Sequence, residues 1–117
     1  MIRKTSEQSV EIREKMRGGA GAVTVRQFFK PEEITAKTRL CAQLTIPPGA
    51  GIGLHQHLQE DEIYIVLQGA GLLDDGHGEK GISAGDAILT GKGESHAVRN
   101  TGTENLELIA VIMTYPS

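Results

Sequence analysis

A single cysteine, Cys41, stands among the 117 residues. That excludes an internal disulfide framework and fits a reducing compartment. No stretch approaches the roughly 20 consecutive apolar residues that span a bilayer, so no membrane partner is expected. The opening fifteen residues carry Arg3, Lys4, Glu7, Glu11, Arg13, Glu14 and Lys15 and hold no apolar signal-peptide core. A cytoplasmic location is the resulting expectation. Excess charge of either sign is small, 12 Lys+Arg against 15 Asp+Glu, a formal −3. Nucleic-acid binding needs clustered positive charge to neutralise phosphates, so no nucleic-acid partner is expected either. Internal repeats, low-complexity tracts and linkers are also lacking.

What is present fits one compact domain over residues 1–117. A globule of this length withdraws about two-thirds of its extended-chain surface from water, enough for a core without staples. Hydrophobic residues at 38% and charged residues at 23% argue against wholesale disorder. Residues 6–17 (SEQSVEIREKMR) are rich in helix formers, with a thin apolar stripe at Val10, Ile12 and Met16. They predict a short N-terminal helix, ended by Gly18-Gly19-Ala20-Gly21. Val23–Phe29 predicts a strand from its β-branched and aromatic residues, and Pro31–Ile34 a single helical turn with proline first and acids near the positive end.

From residue 38 onward the pattern is all β. Thr38–Ile46 alternates, with Leu40, Ala42, Leu44 and Ile46 on one face and Arg39, Cys41, Gln43 and Thr45 on the other. Short apolar runs follow at Ile63–Leu67, Leu72-Leu73, Gly81-Ile82, Ala87–Leu89, Ala97–Arg99 and Leu106–Tyr115, separated by Asp/Asn/Gly turns. Many short, closely spaced strands predict a β-sandwich or barrel.

His55 and His57 are separated by one residue, so on an extended segment both rings face one side. Glu62 follows at the start of an apolar strand, and His96 lies 41 positions after His55. Imidazole nitrogen and carboxylate oxygen are the usual donors for a divalent first-row metal. Singly, each of these residues is more often a surface or turn residue than a ligand; joint spacing carries the argument. The pattern G-x5-H-x-H-x(3,4)-E-x6-G fits Gly49, His55, His57, Glu62 and Gly69, and G-x5-P-x-G-x2-H-x3-N fits Gly85, Gly93, His96 and Asn100. Gly91 stands at the proline position of the second pattern.

On these motifs, spanning 49–100, the sequence resembles the cupin superfamily, in its small single-domain form. The resemblance implies a double-stranded β-helix, or jelly-roll barrel, with residues 1–37 packing on the barrel or on a dimer partner. It implies His55, His57, Glu62 and His96 as ligands of one divalent transition metal, with Mn, Fe, Ni and Zn all compatible. Gly91 touches turn rigidity and leaves that ligand set alone. Three neutral imidazoles and one carboxylate leave a divalent site near +1, which attracts an anionic oxygen ligand such as a carboxylate or enolate.

Alternation extends the pocket. With Glu62 inward, Tyr64 and Val66 follow; with His96 inward, Val98 follows and Arg99 points away. Arg39 and Cys41 are expected to face outward, and Leu106–Tyr115 to be buried on both sides. The lining is then mostly aliphatic, with Tyr64 the polar group beyond the ligands: the candidate catalytic residue, to orient a substrate or donate a proton, or else a packed core residue whose hydroxyl finds a partner. Glu60 and Asp61 are expected in a solvated acidic loop, with proton shuttling at the barrel mouth as the alternative, and His77 in a remote turn. Val23–Phe29 is expected at or near a homodimer interface. The expected function is a small metalloenzyme acting on a small oxygen-bearing organic molecule, by dioxygenase-like chemistry or as a Lewis-acid isomerase, lyase or decarboxylase. A non-catalytic small-molecule-binding or sensory module is the alternative.

Overall fold

The computed structural model describes residues 1–116. Ten strands run in chain order: β1 (Ser9–Glu14), β2 (Ala22–Gln27), β3 (Thr38–Ile46), β4 (Gly51–Gln56), β5 (Glu60–Gln68), β6 (Ala70–Asp74), β7 (Glu79–Ser83), β8 (Ala87–Thr90), β9 (Ser95–Asn100) and β10 (Leu106–Thr114). They form two antiparallel sheets, a six-stranded layer ordered β1-β2-β3-β10-β5-β8 and a four-stranded layer ordered β4-β9-β6-β7. This is the expected jelly roll. Among the described residues, helical structure is confined to single 3-10 turns at Thr5–Glu7, Met16–Gly18 and Pro31–Glu33.

The core lies between the layers. Val23, Val25, Ala42, Leu44, Ile46, Val66, Leu106, Leu108 and Ala110 come from the larger sheet, and Ile52, Leu73, Ile82 and Val98 from the smaller. The alternation of Thr38–Ile46 holds: Ala42, Leu44 and Ile46 are buried, and Leu40 packs against them. Along β10 the alternation is sharper than expected. Leu106, Leu108, Ala110 and Ile112 are buried, while Ile109, Val111 and Met113 on the opposite face are only half-buried. Among the described residues no helix is long and apolar enough to cross a membrane.

The N-terminal helix expected over 6–17 is not formed. Residues 9–14 pair with β2 in register Ser9↔Gln27 to Glu14↔Ala22. Val10 and Ile12 repeat every second residue, which suits a strand, and the open edge of β2 supplies backbone partners that local helix preference cannot match. The hairpin loop 15–21 turns through left-handed backbone at Lys15 (φ 49°) and Arg17 (φ 53°) as well as at two glycines.

Candidate metal centre

Strand β4 supplies His55 through an irregularity in its ladder with β9. Ile52 faces Val98 and His55 faces His96, so three steps on β4 oppose two on β9. A bulge of this kind reverses parity. It turns His55 to the same inner side as buried Ile52, a relation plain alternation does not give. Beyond the end of β4, His57 is fixed through its backbone: its N–H donates to Glu94 O at 2.9 Å, and its carbonyl accepts from Gly93 N–H at 3.2 Å. Glu62 comes from β5 on the other sheet, opposite Thr90 of β8. His57, Glu62 and His96 are almost completely buried.

The four residues expected as ligands come together. One ligand atom from each of His55, His57, Glu62 and His96 lies within 4.8 Å of the others. Three of these atoms form a tight triangle: His57 Nε2 to His96 Nε2 is 2.9 Å, His57 Nε2 to Glu62 Oε1 3.0 Å, and His96 Nε2 to Glu62 Oε1 2.9 Å. Donors at right angles around an ion about 2.1 Å away sit about 3.0 Å apart, against about 3.4 Å for tetrahedral donors. The triangle therefore matches the octahedral spacing.

The opposite ring nitrogens explain the orientation. His55 Nδ1–H donates to Gly53 O at 2.7 Å, and His57 Nδ1–H to Glu60 Oε1 at 2.7 Å. His96 Nδ1 lies 2.9 Å from the Thr90 hydroxyl, which can serve either tautomer. A carbonyl and a carboxylate only accept, so the Nε2 lone pairs of His55 and His57 are free. Burial lowers the His55 pKa and keeps that ring neutral. Glu62 Oε1 is buried without a hydrogen-bond donor among the described residues. A buried carboxylate oxygen 3.0 Å from an imidazole lone pair is repulsive unless a cation joins them. The residues present therefore fit a divalent metal ion.

Around this centre the structure corrects three expectations. Glu60 is not in a solvated loop: it opens β5, shares the inner face with Glu62 and Tyr64, and is 8% exposed. Its carboxylate also accepts from Arg39 Nε at 2.9 Å and Nη2 at 2.8 Å. Arg39 first, and His57 after it, hold the Glu60 pKa down to about 2 despite burial. Arg39 does not face away from the pocket. In the pairing of β3 with β10, Leu40 faces Ile112 and Thr38 faces Met113, which leaves Arg39 as an extra residue. The bulge re-aims its side chain towards Glu60. The lining is also less aliphatic than alternation implied, since Arg13, Arg17 and Arg39 border the cavity that reaches Glu62 and Tyr64.

Tyr64 is inward and 1% exposed, stacked on His96 with ring centroids 4.9 Å apart. Burial and the Glu62 carboxylate push its pKa well above 10. Val66 and Val98 are buried, and Arg99 points out to Glu79, as alternation implied. Asp61 accepts a hydrogen bond from Tyr115, and His77 is exposed and outside the cluster. Gly91 now has a reason: a Cβ there would lie 1.9 Å from Asp61 Oδ1, and its N–H donates to Glu94 at 3.2 Å. Asn100, the last motif residue, donates to Ile46 O and Glu104 O and ties β9 to the end of β3. Alternation from Glu62 was enough to find Glu60; the Arg39 and Gly53 roles depend on bulges that leave no signal in composition.

Comparison with known proteins agrees with this geometry. The family model described as Cupin domain matches residues 42–112. A Thermotoga maritima protein named "Oxalate-binding protein" is 42% identical over 113 residues, covering 97% of this chain and 93% of its own. A Thermotoga maritima crystal structure described as a predicted oxalate decarboxylase superposes with a TM-score of 0.92 at 41% identity, covering 97% of this chain and 99% of its own. KdgF from Halomonas sp. shares the fold, with a TM-score of 0.74 at 18% identity over 100% of this chain and 96% of its own. By motif, fold and sequence, the chain belongs to the cupin family.

Proposed function

We propose that this protein holds one divalent transition metal on His55, His57, Glu62 and His96 and takes a small carboxylate anion beside it, oxalate being the first candidate. The observation that carries the reading is the triangle of His57 Nε2, His96 Nε2 and Glu62 Oε1, with the free His57 lone pair and an undonated carboxylate oxygen turned inward. A bound ion would supply Lewis-acid charge there. The residues do the remaining work: Glu60 and Gly53 O hold two rings in one tautomer, Thr90 steadies the third, and the aliphatic core excludes water behind them. The names of the Thermotoga maritima relatives support oxalate as the anion to test.

The deciding experiment combines elemental analysis of the purified protein with calorimetry of oxalate binding. The reading expects about one Mn, Fe, Ni or Zn per chain and oxalate binding that chelation abolishes. Stoichiometric metal without oxalate binding removes the anion half, and absence of metal removes both.

Turnover of the bound anion is the second reading, favoured by Tyr64, which borders the same cavity as Glu62. Glu60 does not serve as its acid, because Arg39 and His57 hold it ionised. Product analysis separates the readings: Tyr64→Phe that binds oxalate but no longer converts it supports catalysis, and unchanged oxalate with wild-type protein removes it. Residues 1–117 act as one unit in this proposal, with the cytoplasm as the working compartment. A homodimer remains the proposed assembly. Val23 and Val25 are already covered within the chain, so its support comes from exposed Ile65, Leu67 and Leu89 on the outer face of β5 and β8. A monomer by sedimentation at micromolar concentration removes it.

A further inference from the structure

A cavity of about 100 Å³ opens beside the metal centre, bordered by Arg13, Met16, Arg17, Arg39, Glu62 and Tyr64 among others. At about 30 Å³ per water this is the room of about three waters, the scale of a small organic anion. The three arginines are not equivalent. Arg39 is committed to Glu60 by two hydrogen bonds. Arg13 pairs with Glu11 at the surface. Arg17, exposed at the rim of the cavity, has no side-chain partner among the described residues, whereas Arg3, Arg26 and Arg99 each have one.

Arg17 is also held in place at a cost. Its φ of 53° is left-handed, a conformation that persists only where surrounding structure over-determines it. The restraint is visible: a Cβ on Gly53 would lie 2.0 Å from Arg17 O, and one on Gly19 2.2 Å from Gly51 O. The hairpin loop thus lies backbone to backbone on β4. Gly53 in turn accepts from His55 Nδ1–H, so one glycine joins the loop that carries Arg17 to a metal-binding imidazole.

We propose that Arg17 is the residue that selects a dianion at this site, by pairing with the carboxylate of a small dicarboxylate that points away from the metal. The inference rests on the metal-and-anion reading above and deepens it. Charge counting gives the class. A divalent ion with Glu62 leaves +1; the Arg39–Glu60 and Arg13–Glu11 pairs cancel; Arg17 adds +1. A dianion neutralises the site, and a monoanion leaves charge in a partly buried cavity. Guanidinium also matches a carboxylate with two parallel donors, which an ammonium does not.

The test uses the full chain loaded with Mn²⁺, as wild type, Arg17→Gln and Arg17→Gly. The glycine variant relieves the left-handed backbone and so preserves the fold if glutamine does not. Metal content is read by elemental analysis, and oxalate, malonate and acetate binding by calorimetry. Expected results are full metal content in all three proteins, oxalate or malonate weakened by at least about tenfold in the variants, and acetate changed by less than about twofold. Wild-type oxalate and malonate affinity in the variants overturns the proposal. So does equal loss for acetate, or a metal-loaded wild type that binds neither dicarboxylate. Wild type that retains none of Mn²⁺, Fe²⁺, Ni²⁺ and Zn²⁺ overturns the underlying metal reading instead.

Discussion

Glu60 Oε1 lies 2.7 Å from His57 Nδ1, and Arg39 grips the same carboxylate from its other side. This chain fixes the His57 tautomer and the orientation of its inward nitrogen. Glu60→Gln keeps the shape but removes the charge. It is expected to weaken metal binding by about 10- to 100-fold with the fold retained. Competition against a chromophoric chelator measures this; unchanged affinity would show that Glu60 is only a packing group.

The depressed Glu60 pKa has a direction in acid. The folded value of about 2 lies below the ordinary 4.5. Its contribution is therefore complete above about pH 4.5 and is lost as pH falls from there through about 2. The gap sets an upper limit of about 3 kcal/mol. Urea unfolding of metal-free protein is expected to show stability falling through that window, and falling less in Arg39→Gln. Parallel pH profiles of the two proteins would contradict the assignment.

Metal removal should cost stability by mass action. At free metal about 1,000-fold above Kd, the bound state gains about 4 kcal/mol. Chelation is expected to lower the melting temperature by several degrees or more, and His96→Ala to abolish the difference between loaded and chelated samples. Equal melting temperatures with and without chelator in the wild type would count against a metal centre.

Gly53→Ala places a Cβ 2.0 Å from Arg17 O, a backbone atom that cannot swing away. The expected cost is about 1–3 kcal/mol, with weaker metal and dicarboxylate binding together. Thermal denaturation checks the first and calorimetry the second. A stable variant with intact binding would show that the hairpin loop moves freely from β4.

Gly91→Ala is expected to displace the Asp61 carboxylate, whose Oδ1 would lie 1.9 Å from the new Cβ, from its hydrogen bond with Tyr115, at a cost of about 1 kcal/mol. Asp61→Ala in the same chain should recover part of that loss. The double-mutant cycle reads the coupling, and strict additivity would remove this account of the glycine.

Much of this was legible in the sequence because strands encode sidedness with period two. The inward set Ala42, Leu44 and Ile46, the pair Tyr64 and Val66 behind Glu62, and the outward Arg99 all follow from one alternation. Glu60 obeys the same rule and was obscured by the acidic composition of Glu60–Glu62. Alternation fails where a ladder gains a residue. The extra residue in β4 turns His55 inward, and the one in β3 sends Arg39 to Glu60. The N-terminal segment 9–14 misled for another reason: its helix-forming Glu and Arg speak of local preference, whereas its strand is imposed by the distant edge of β2.

The donors are divided between the layers, with Glu62 hanging from the six-stranded sheet and His55 and His96 from the four-stranded one. Anything that joins them acts as a rivet through two plates. Sliding of one plate over the other draws the carboxylate off the imidazoles, so the breathing of the sandwich and the filling of its centre oppose each other mechanically.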